Sequence, residues 1–352
     1  MLKLPIIKRI LQAVRRLKYT PRPHRKKFFK LSYDMLRWIY KNRGGINLFV
    51  DYGLVEKNSR IGDFLTERAF KKSEKKLNDH YYLPLLEDKM IFYQYLKEIG
   101  FPVPNNRFIV INNSLLVPGS AKRMPIDKIY EYEVDGYMKI INGFAGKNVY
   151  KIIVRAGKLF INHDEWDINA FKSLTEKNIF LIQDRVIQHS EINRINPSCI
   201  NTLRIVTVNS QNEPSLFHVS QRFGINGNHV DNNSMGNIAV GVNMDSGRLM
   251  EKAYTHDPAH FKIKTHPDTG VTFEDYQVPF YKEAINMTLE LHQYFTHFSI
   301  IGWDIAITPE GPLIIEGNNI NDLTGAQILT GGLKAKFLDF AEKAIGGKNQ
   351  QI

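Results

Sequence analysis

In this chain of 352 residues, the segment that most clearly suggests chemistry is IGWDIAITPEGPLIIEGNN, residues 301–319. It consists of two apolar runs that each carry one acid. A Pro-Glu-Gly turn separates the runs. A three-residue hairpin loop at this turn would pair Thr308 with Pro312 and place Asp304 directly opposite Glu316. Two neighbouring carboxylates repel each other, so this pairing favours a cation between them.

The same alternation predicts what accompanies the two acids. Asn318 falls on their face of the hairpin, while the other face receives Ile305, Ile307, Leu313 and Ile315. Two carboxylates and an amide oxygen are hard ligands that suit Mg²⁺ or Mn²⁺, which in turn hold phosphate oxygens. The sequence therefore predicts a metal site at Asp304, Glu316 and Asn318. The same residues also allow a surface hairpin whose acids face solvent.

A second candidate element is DGYMKIINGFAGKNVYKI, residues 135–152. It places Lys139 on a strand and Gly143 and Gly146 in the following loop. Glycines let backbone N–H groups approach phosphate oxygens, and a lysine adds positive charge. The Walker A and dinucleotide spacings are absent, and no kinase H-R-D or D-F-G follows. The segment fits a phosphate cradle, with an ordinary β-hairpin as the alternative.

Two arginines lie on predicted strands. Arg204 in NTLRIV has apolar neighbours, and Arg222 occurs in SQRFG. A guanidinium in such a place is costly unless it meets an anion, such as the γ-phosphate of a nucleotide or a carboxylate. We therefore expect Arg204, and Arg222 as a second cation, to bind an anion.

These residues need strands and helices to position them. Strand signals dominate from residue 136 to residue 209 and return in SLFHVSQRF, NIAVGVN and the hairpin. Helices are predicted from about residue 88 to Gly100 and over residues 165–176, 277–297 and 326–345. This pattern predicts an α+β architecture of mostly antiparallel sheets, with a site between two sheet-bearing halves.

Composition and charge narrow the class of protein. A hydrophobic content of 43% suits a globular core, and the single Cys199 favours a reducing compartment, most simply the cytoplasm. No apolar run approaches the roughly 18 to 20 residues that span a bilayer. Residues 1–30 contain eleven Lys and Arg and no acid, which accounts for the whole net charge of +11. Because the remainder is balanced, we do not expect nucleic-acid binding.

The basic N-terminal arm has an amphipathic pattern. Apolar residues repeat at helical spacing, namely Ile7, Ile10, Leu11, Val14 and Leu17, and most of the cations fall elsewhere on the helical wheel. Such a helix suits an anionic membrane surface, which would make the protein peripheral at the inner face of the membrane. Packing of the same apolar stripe on the protein itself is an equal alternative.

In this order, the motifs resemble the ATP-grasp superfamily, and the C-terminal half resembles its sugar-transfer associated family. The resemblance runs from about Asp88 to Gln327. It rests on EDKMIFYQYLKEIGFPVP, GYMKIINGFAGKNVYKI, LIQDRVIQH, INTLRIVTV, VDNNSMGNIAVGVN, THPDTG and GWDIAITPEGPLIIEGNN. It implies a nucleotide gripped between two α+β subdomains, over residues 136–200 and 201–347. Before them we expect the basic arm over 1–30, a helical region over 31–87 and a pre-grasp segment over 88–135.

The resemblance also implies roles for individual residues, with ATP and Mg²⁺ or Mn²⁺ as cofactors. Lys139 would contact the α- and β-phosphates, and Asp184 and Arg185 would lie near the adenine, with Gln183 as the alternative to Asp184. The backbone around Ile187 would bind the adenine edge, and Glu191 would bind the ribose hydroxyls. A loop with Asn232 and Gly236 would close on the transferred phosphoryl group, although Asn237 replaces the usual second glycine. His266 matches a position near the acceptor, and its role is left open.

The reaction that the resemblance implies is ATP-dependent joining of a carboxylate to an amine through an acyl phosphate. The family name suggests surface-polysaccharide precursors, so either substrate could be sugar-linked or lipid-linked. Two alternatives stay open: a phosphotransferase acting on a sugar hydroxyl, and a non-catalytic nucleotide-binding protein at a membrane.

Overall fold

The computed structural model describes residues 24–40, 45–143, 148–228, 236–255, 262–319 and 323–348. Most of the predicted basic arm lies outside these ranges, as do Gly146 and Asn232. Within them, two antiparallel sheets are flanked by helices, which confirms the α+β prediction. No helix of the described part has the length and apolar character needed to cross a membrane.

The regular elements are numbered here in chain order. The α-helices are α1 (Phe28–Tyr40), α2 (Ile46–Asp51), α3 (Glu67–Leu77), α4 (Pro84–Glu87), α5 (Lys89–Glu98), α6 (Ile168–Thr175), α7 (Ser190–Ile195), α8 (Tyr281–Gln293), α9 (Leu323–Thr330) and α10 (Lys334–Lys348). The strands are β1 (Asn106–Ile111), β2 (Ser114–Leu116), β3 (Arg123–Pro125), β4 (Val134–Ile140), β5 (Val149–Arg155), β6 (Lys158–Ile161), β7 (Asp164–Trp166), β8 (Phe180–Asp184), β9 (Leu203–Ser210), β10 (Glu213–Phe223), β11 (Ile238–Val242), β12 (Leu249–Tyr254), β13 (Ile300–Thr308) and β14 (Gly311–Asn318). The sequence pattern did not predict β12 or the short strands β2, β3 and β7.

The first sheet has eight strands in the order β3-β2-β1-β8-β4-β5-β6-β7. One of its faces buries an apolar cluster that includes Met138, Ile152 and Phe171 of α6. Helix α5 begins at the N-cap Asp88, whose side chain accepts from the N–H groups of Met90 and Ile91, and it ends before Gly100 at φ +85°. The predicted end of this helix is therefore confirmed.

The second sheet has six strands in the order β12-β11-β10-β9-β13-β14. One face packs on α5 and α8, where Ile205 and Trp303 of the sheet share an apolar cluster with Leu291 of α8. On the opposite face, Val206 and Ile300 are covered by residues of α3, α9 and α10. This second face also carries the polar residues described below.

The hairpin of β13 and β14 places Asp304 opposite Glu316, as predicted, but its register differs from the predicted one. Thr308 pairs with Gly311 across a two-residue loop, and a β-bulge between Asp304 and Ile305 then restores the facing acids. As a result, Ile314, and not Leu313 or Ile315, joins Ile305 and Ile307 in the core.

The helix predicted over residues 326–345 is divided into α9 and α10. Gly331 adopts φ +92°, a backbone conformation that ends a helix and that L side chains rarely adopt. The following Gly332 lies against the backbone of Asp63, and a Cβ added to it would be 2.3 Å from the carbonyl oxygen of Asp63. The break between α9 and α10 therefore lies where the chain packs closely against Asp63 of the N-terminal region.

We expect Gly332→Ala to destabilise the protein by about 2 kcal/mol or more, because the new methyl group must displace backbone atoms. Gly346→Ala is the matched control, since a Cβ on this glycine of α10 meets nothing within 4 Å. That control should be neutral or slightly stabilising. Thermal unfolding of both variants measures the difference, and equal melting temperatures would contradict this account of the helix break.

Candidate active site

The acid of β13 lies at the centre of a buried ionic cluster. Asp304 is 1% exposed and pairs in register with Arg204 of β9. Arg204 donates to it through Nε at 2.5 Å and Nη2 at 3.1 Å, and Arg222 of β10 approaches with Nη2 at 2.7 Å. Burial alone would raise the pKa of Asp304, but the two guanidinium groups hold that pKa below its ordinary value. The anion that Arg204 and Arg222 meet in this structure is therefore a carboxylate.

The second acid is less well compensated. Burial, and then the negative charge of Asp304, raise the pKa of Glu316 above its ordinary value. The side-chain Nδ2 of Asn318 lies 3.3 Å from Asp304 Oδ2 and 3.4 Å from Glu316 Oε1. The three residues predicted as metal ligands are thus brought together.

This donor set fits a divalent cation. A cation beside Glu316 would offset the burial and the repulsion that disfavour its ionised form. A half-turn of the Asn318 amide would present its oxygen, and carboxylate oxygens have further lone pairs beyond those bound by the arginines. In the described ranges there is no group of three or more His, Cys, Asp and Glu side chains that could hold a metal ion. Asp304, Glu316 and Asn318 would therefore need waters or phosphate oxygens to complete the coordination.

The first sheet presents lysines to this hairpin. Lys139 of β4 shares a sheet face with Gln183 of β8, opposite to the apolar Met138. The pKa of Lys139 is lowered to about 8, mainly by burial; the charge of Glu316 acts against this shift, and the charge of Lys89 adds to it. Lys139 and Glu316 therefore approach each other from different sheets, which is the arrangement predicted for a site between two halves.

Lys89 is a residue that the sequence analysis missed. It opens α5, and its Nζ donates to the carbonyl oxygen of Gly143 at 2.7 Å, at the start of the glycine loop. Burial lowers the pKa of Lys89, and the charge of Glu316 acts in the opposite direction. The segment EDKMIF predicts only a helix start, because nothing in its local sequence indicates that Lys89 contacts a loop 54 residues later.

The lowered pKa of Lys139 leads to a prediction about how ATP affinity depends on pH. Deprotonation removes a charge that would attract phosphates, so ATP affinity should fall by up to about tenfold per pH unit above pH 8. Lys139→Arg keeps its charge at these pH values and should flatten this part of the profile. Isothermal titration with ATP across the range measures both proteins, and identical slopes would contradict the role of Lys139.

Strand β8 places the two candidates for adenine contact, Gln183 and Asp184, on opposite faces of the sheet. Gln183 is 2% exposed, and its Oε1 accepts no hydrogen bond from the described residues. Asp184 lies on the opposite face, where it accepts from Arg107 Nε at 2.5 Å and Asn105 Nδ2 at 2.7 Å. Only Gln183 therefore shares a face with Lys139.

The segment after β8 leads from the first sheet to the second. The backbone N–H of Arg185 donates to the carbonyl of Asp135 at 2.9 Å, and the Ile187 side chain is 58% exposed. Glu191 lies in the first turn of α7 and accepts from Tyr276 Oη at 2.9 Å. That hydrogen bond is the main reason why the pKa of Glu191 is lowered.

Buried amides fix the end of this segment. Asn201 donates through its backbone N–H to Gln188 Oε1 at 2.7 Å, and its own Oδ1 accepts from the N–H of Gly224 at 3.1 Å. His266 is buried, and its Nε2 lies 2.8 Å from the carbonyl oxygen of Gly224. His266 therefore holds the backbone just after β10, on the chain leading to the segment that contains Asn232.

Two polar residues of β10 were also missed. His218 and Ser220 are 4% and 6% exposed, and neither side chain makes a hydrogen bond to the described residues. Ser220 pairs in register with Arg204. Burial, followed by the charges of Lys336 and Arg204, lowers the pKa of His218 to about 3. A neutral imidazole and a hydroxyl therefore continue the row of polar side chains from Arg222.

Comparison with solved structures gives distant likenesses. D-alanine–D-alanine ligase from Bacillus anthracis is 12% identical, with a TM-score of 0.41, over 78% of this chain and 72% of the other. N5-carboxyaminoimidazole ribonucleotide synthetase from Thermotoga maritima is 12% identical, with a TM-score of 0.39, over 81% of this chain and 56% of the other. A RimK domain protein ATP-grasp from Sphaerobacter thermophilus is 13% identical, with a TM-score of 0.37, over 77% and 70%.

Comparison with curated proteins found no match. A family described as sugar-transfer associated ATP-grasp matches residues 69–339. The match covers both sheets, α5 with Lys89, and the hairpin with Asp304 and Glu316. The chain therefore belongs to the sugar-transfer associated ATP-grasp family and has the ATP-grasp fold.

Proposed function

We propose that this protein is an ATP-dependent ligase that joins a carboxylate to an amine through an acyl phosphate. The observation that carries the proposal is the meeting of Arg204, Asp304 and Arg222 with Glu316 on one sheet, opposite Lys139 on the other. Family membership supports ATP as the nucleotide. The unsatisfied Oε1 of Gln183 suits the amino group of an adenine, which is a hydrogen-bond donor.

The first step of the proposed reaction brings anions together, because a carboxylate attacks the γ-phosphate of ATP. Catalysis then consists mainly of positioning and charge stabilisation. We assign Lys139 and Lys89 to the α- and β-phosphates, and Arg204 and Arg222 to the transferred phosphoryl group and the attacking carboxylate. Asn232 and the neighbouring loop are proposed to close over the same group.

Asp304, Glu316 and Asn318 are the proposed ligands of Mg²⁺ or Mn²⁺. The cation, when bound, would neutralise charge on the phosphate oxygens. The Arg204 and Arg222 guanidinium groups hold the Asp304 carboxylate in place, opposite Glu316 on the hairpin.

The second step requires an amine to displace phosphate from the acyl phosphate. This step needs no protein nucleophile, and the one cysteine, Cys199, is buried among the amides around Asn201. Ser220 and His218 are the residues we assign to the acceptor, since their polar side chains lie in a row with Arg222 and suit the hydroxyls of a sugar. The family description supports a polysaccharide precursor as the source of one substrate.

The proposal is tested by ADP release from purified protein with ATP, Mg²⁺ and panels of acids and amines. We expect release only when an acid and an amine are both present, and mass spectrometry should find an amide product. A phosphoester formed without an amine would instead assign a phosphotransferase acting on a hydroxyl. Absence of any ATP-induced thermal stabilisation would contradict nucleotide binding altogether.

His218 should affect the acceptor more than the nucleotide. His218→Phe should raise the KM of the sugar-bearing substrate by about 10- to 100-fold, because a hydrogen bond to a substrate hydroxyl is lost. The Kd for ATP should stay unchanged. The control is His80→Phe, because His80 is exposed and is not a residue of the candidate active site. An unchanged KM would remove His218 from the acceptor subsite.

A further inference from the structure

Helix α1 exposes an apolar face. Phe29, Tyr33, Leu36 and Tyr40 are spaced at i, i+4, i+7 and i+11, so they share one side of the helix. Their exposed fractions are 86%, 59%, 52% and 77%. Phe28, next to this stripe, is 75% exposed. A contiguous face of large apolar side chains on a protein surface indicates a site of interaction.

The opposite side of α1 already packs on the protein body. Trp38 is fully buried, donates through Nε1 to the carbonyl of Gly45 at 2.9 Å and meets Tyr52 edge to face at 5.7 Å between ring centroids. The backbone N–H of Lys26 also donates to Val55 at 2.9 Å. The helix is therefore held from its other face, and the apolar stripe points outward.

The charges around the exposed stripe have one sign. Lys27, Lys30 and Arg37 are exposed, and Lys30 and Arg37 flank the stripe on one side. Asp34 is the sole acid between residues 24 and 40, and it is 4% exposed. It is neutralised by Lys26 at 2.7 Å and Lys30 at 3.1 Å. The solvent-facing side of α1 thus carries cations and no exposed acid.

We propose that this face of α1 docks on an anionic lipid surface. Aromatic side chains favour the boundary between headgroups and acyl chains, and flanking Lys and Arg are attracted to anionic headgroups. Charge complementarity selects this occupant, because residues 1–23 add seven Lys and Arg and no acid to the same end of the chain. A second copy of this chain would bring the same cations together and is disfavoured.

The docking would orient the two sheets relative to the lipid surface. Ile328 of α9 packs on the cluster that holds α1, and Gln327 Oε1 accepts from the backbone N–H of Leu65 at 2.7 Å. The N-terminal helices are therefore joined to the helix that follows the carboxylate hairpin. This face of α1 lies outside the candidate active site, so its docking does not depend on the proposed reaction.

The test is sedimentation of the full-length protein with vesicles of phosphatidylcholine, alone and with phosphatidylglycerol added. We expect binding to the anionic vesicles that weakens with salt. The combined variant Phe29→Ser, Tyr33→Ser, Leu36→Ser and Tyr40→Ser should bind at least about tenfold more weakly. Tyr81→Ser with Leu338→Ser is the matched control, because both side chains are exposed elsewhere, at 83% and 46%. This control should bind as the unaltered protein does.

Several results would overturn the proposal. Equal vesicle binding by the four-residue variant and the unaltered protein would exclude this face. Absence of binding by the full chain would do so too, and would favour coverage of the stripe by residues 1–23. A dimer in light scattering that the four-residue variant converts to a monomer would assign the face to a second copy of the chain.

Discussion

Replacing Glu316 by glutamine should reduce turnover by about 10³-fold or more, because the change removes a proposed ligand of the divalent cation. The substitution keeps the size of the side chain and removes its charge. It also relieves the repulsion from Asp304 that raises the pKa of Glu316, so the fold should be retained or slightly stabilised. Loss of activity with a stable fold is the expected signature. Steady-state ADP release and thermal melting measure the two effects.

The control for this variant is Glu310→Gln. Glu310 lies in the turn of the same hairpin and is exposed, so its charge does not reach the cluster. It should retain full activity. The Mg²⁺ dependence of ATP binding should also disappear in Glu316→Gln alone. Full turnover by Glu316→Gln would remove the metal assignment.

Arg204→Met should lose both activity and stability. Asp304 is 1% exposed and pairs with two arginines, Arg204 and Arg222. The change removes the first of them and leaves Arg222. Removing one partner of a buried ion pair costs about 3 kcal/mol or more, because the other charge stays buried. Turnover should fall by at least about 10²-fold if the guanidinium also stabilises the transferred phosphoryl group. Thermal unfolding and ADP release are measured on the same preparations.

Two further substitutions separate these effects. Arg204→Lys keeps the charge but not the two-point geometry toward Asp304, so its losses should be intermediate. Arg155→Met, at an exposed position on β5, should change neither quantity. An Arg204→Met protein that melts at the unaltered temperature would show that the cluster contributes little to the fold.

The hairpin illustrates how far the sequence alone could lead. Alternation along two strands predicted that Asp304 faces Glu316 and that Asn318 lies beside them, and the structure has this pairing. The predicted loop was one residue too long, and a bulge that no local pattern indicated compensates for it. As a consequence, Ile314 lies in the core where Leu313 and Ile315 were predicted. The side chains that face each other across the two strands could be predicted, whereas loop length and bulges depend on tertiary packing.

Residues that act through distant contacts were the ones that escaped prediction. Lys89 meets Gly143 only because α5 begins just beyond the end of β4, where the backbone N–H of Lys89 donates to the carbonyl of Ile141 at 3.1 Å. His218 is notable only because the fold buries its imidazole near the charge of Arg204. The break between α9 and α10 depends on the contact of Gly332 with Asp63, residues far apart in sequence. Periodicity and spacing carry no information about such contacts.

Diffraction from crystals grown with Mn²⁺ and a non-hydrolysable ATP analogue tests the central claim most directly, through the anomalous signal of the metal. We predict an anomalous peak at about 2.0 to 2.4 Å from oxygens of Asp304 and Glu316, with the triphosphate between that peak and Lys139. A nucleotide bound elsewhere, or a metal that touches neither carboxylate, would contradict the account.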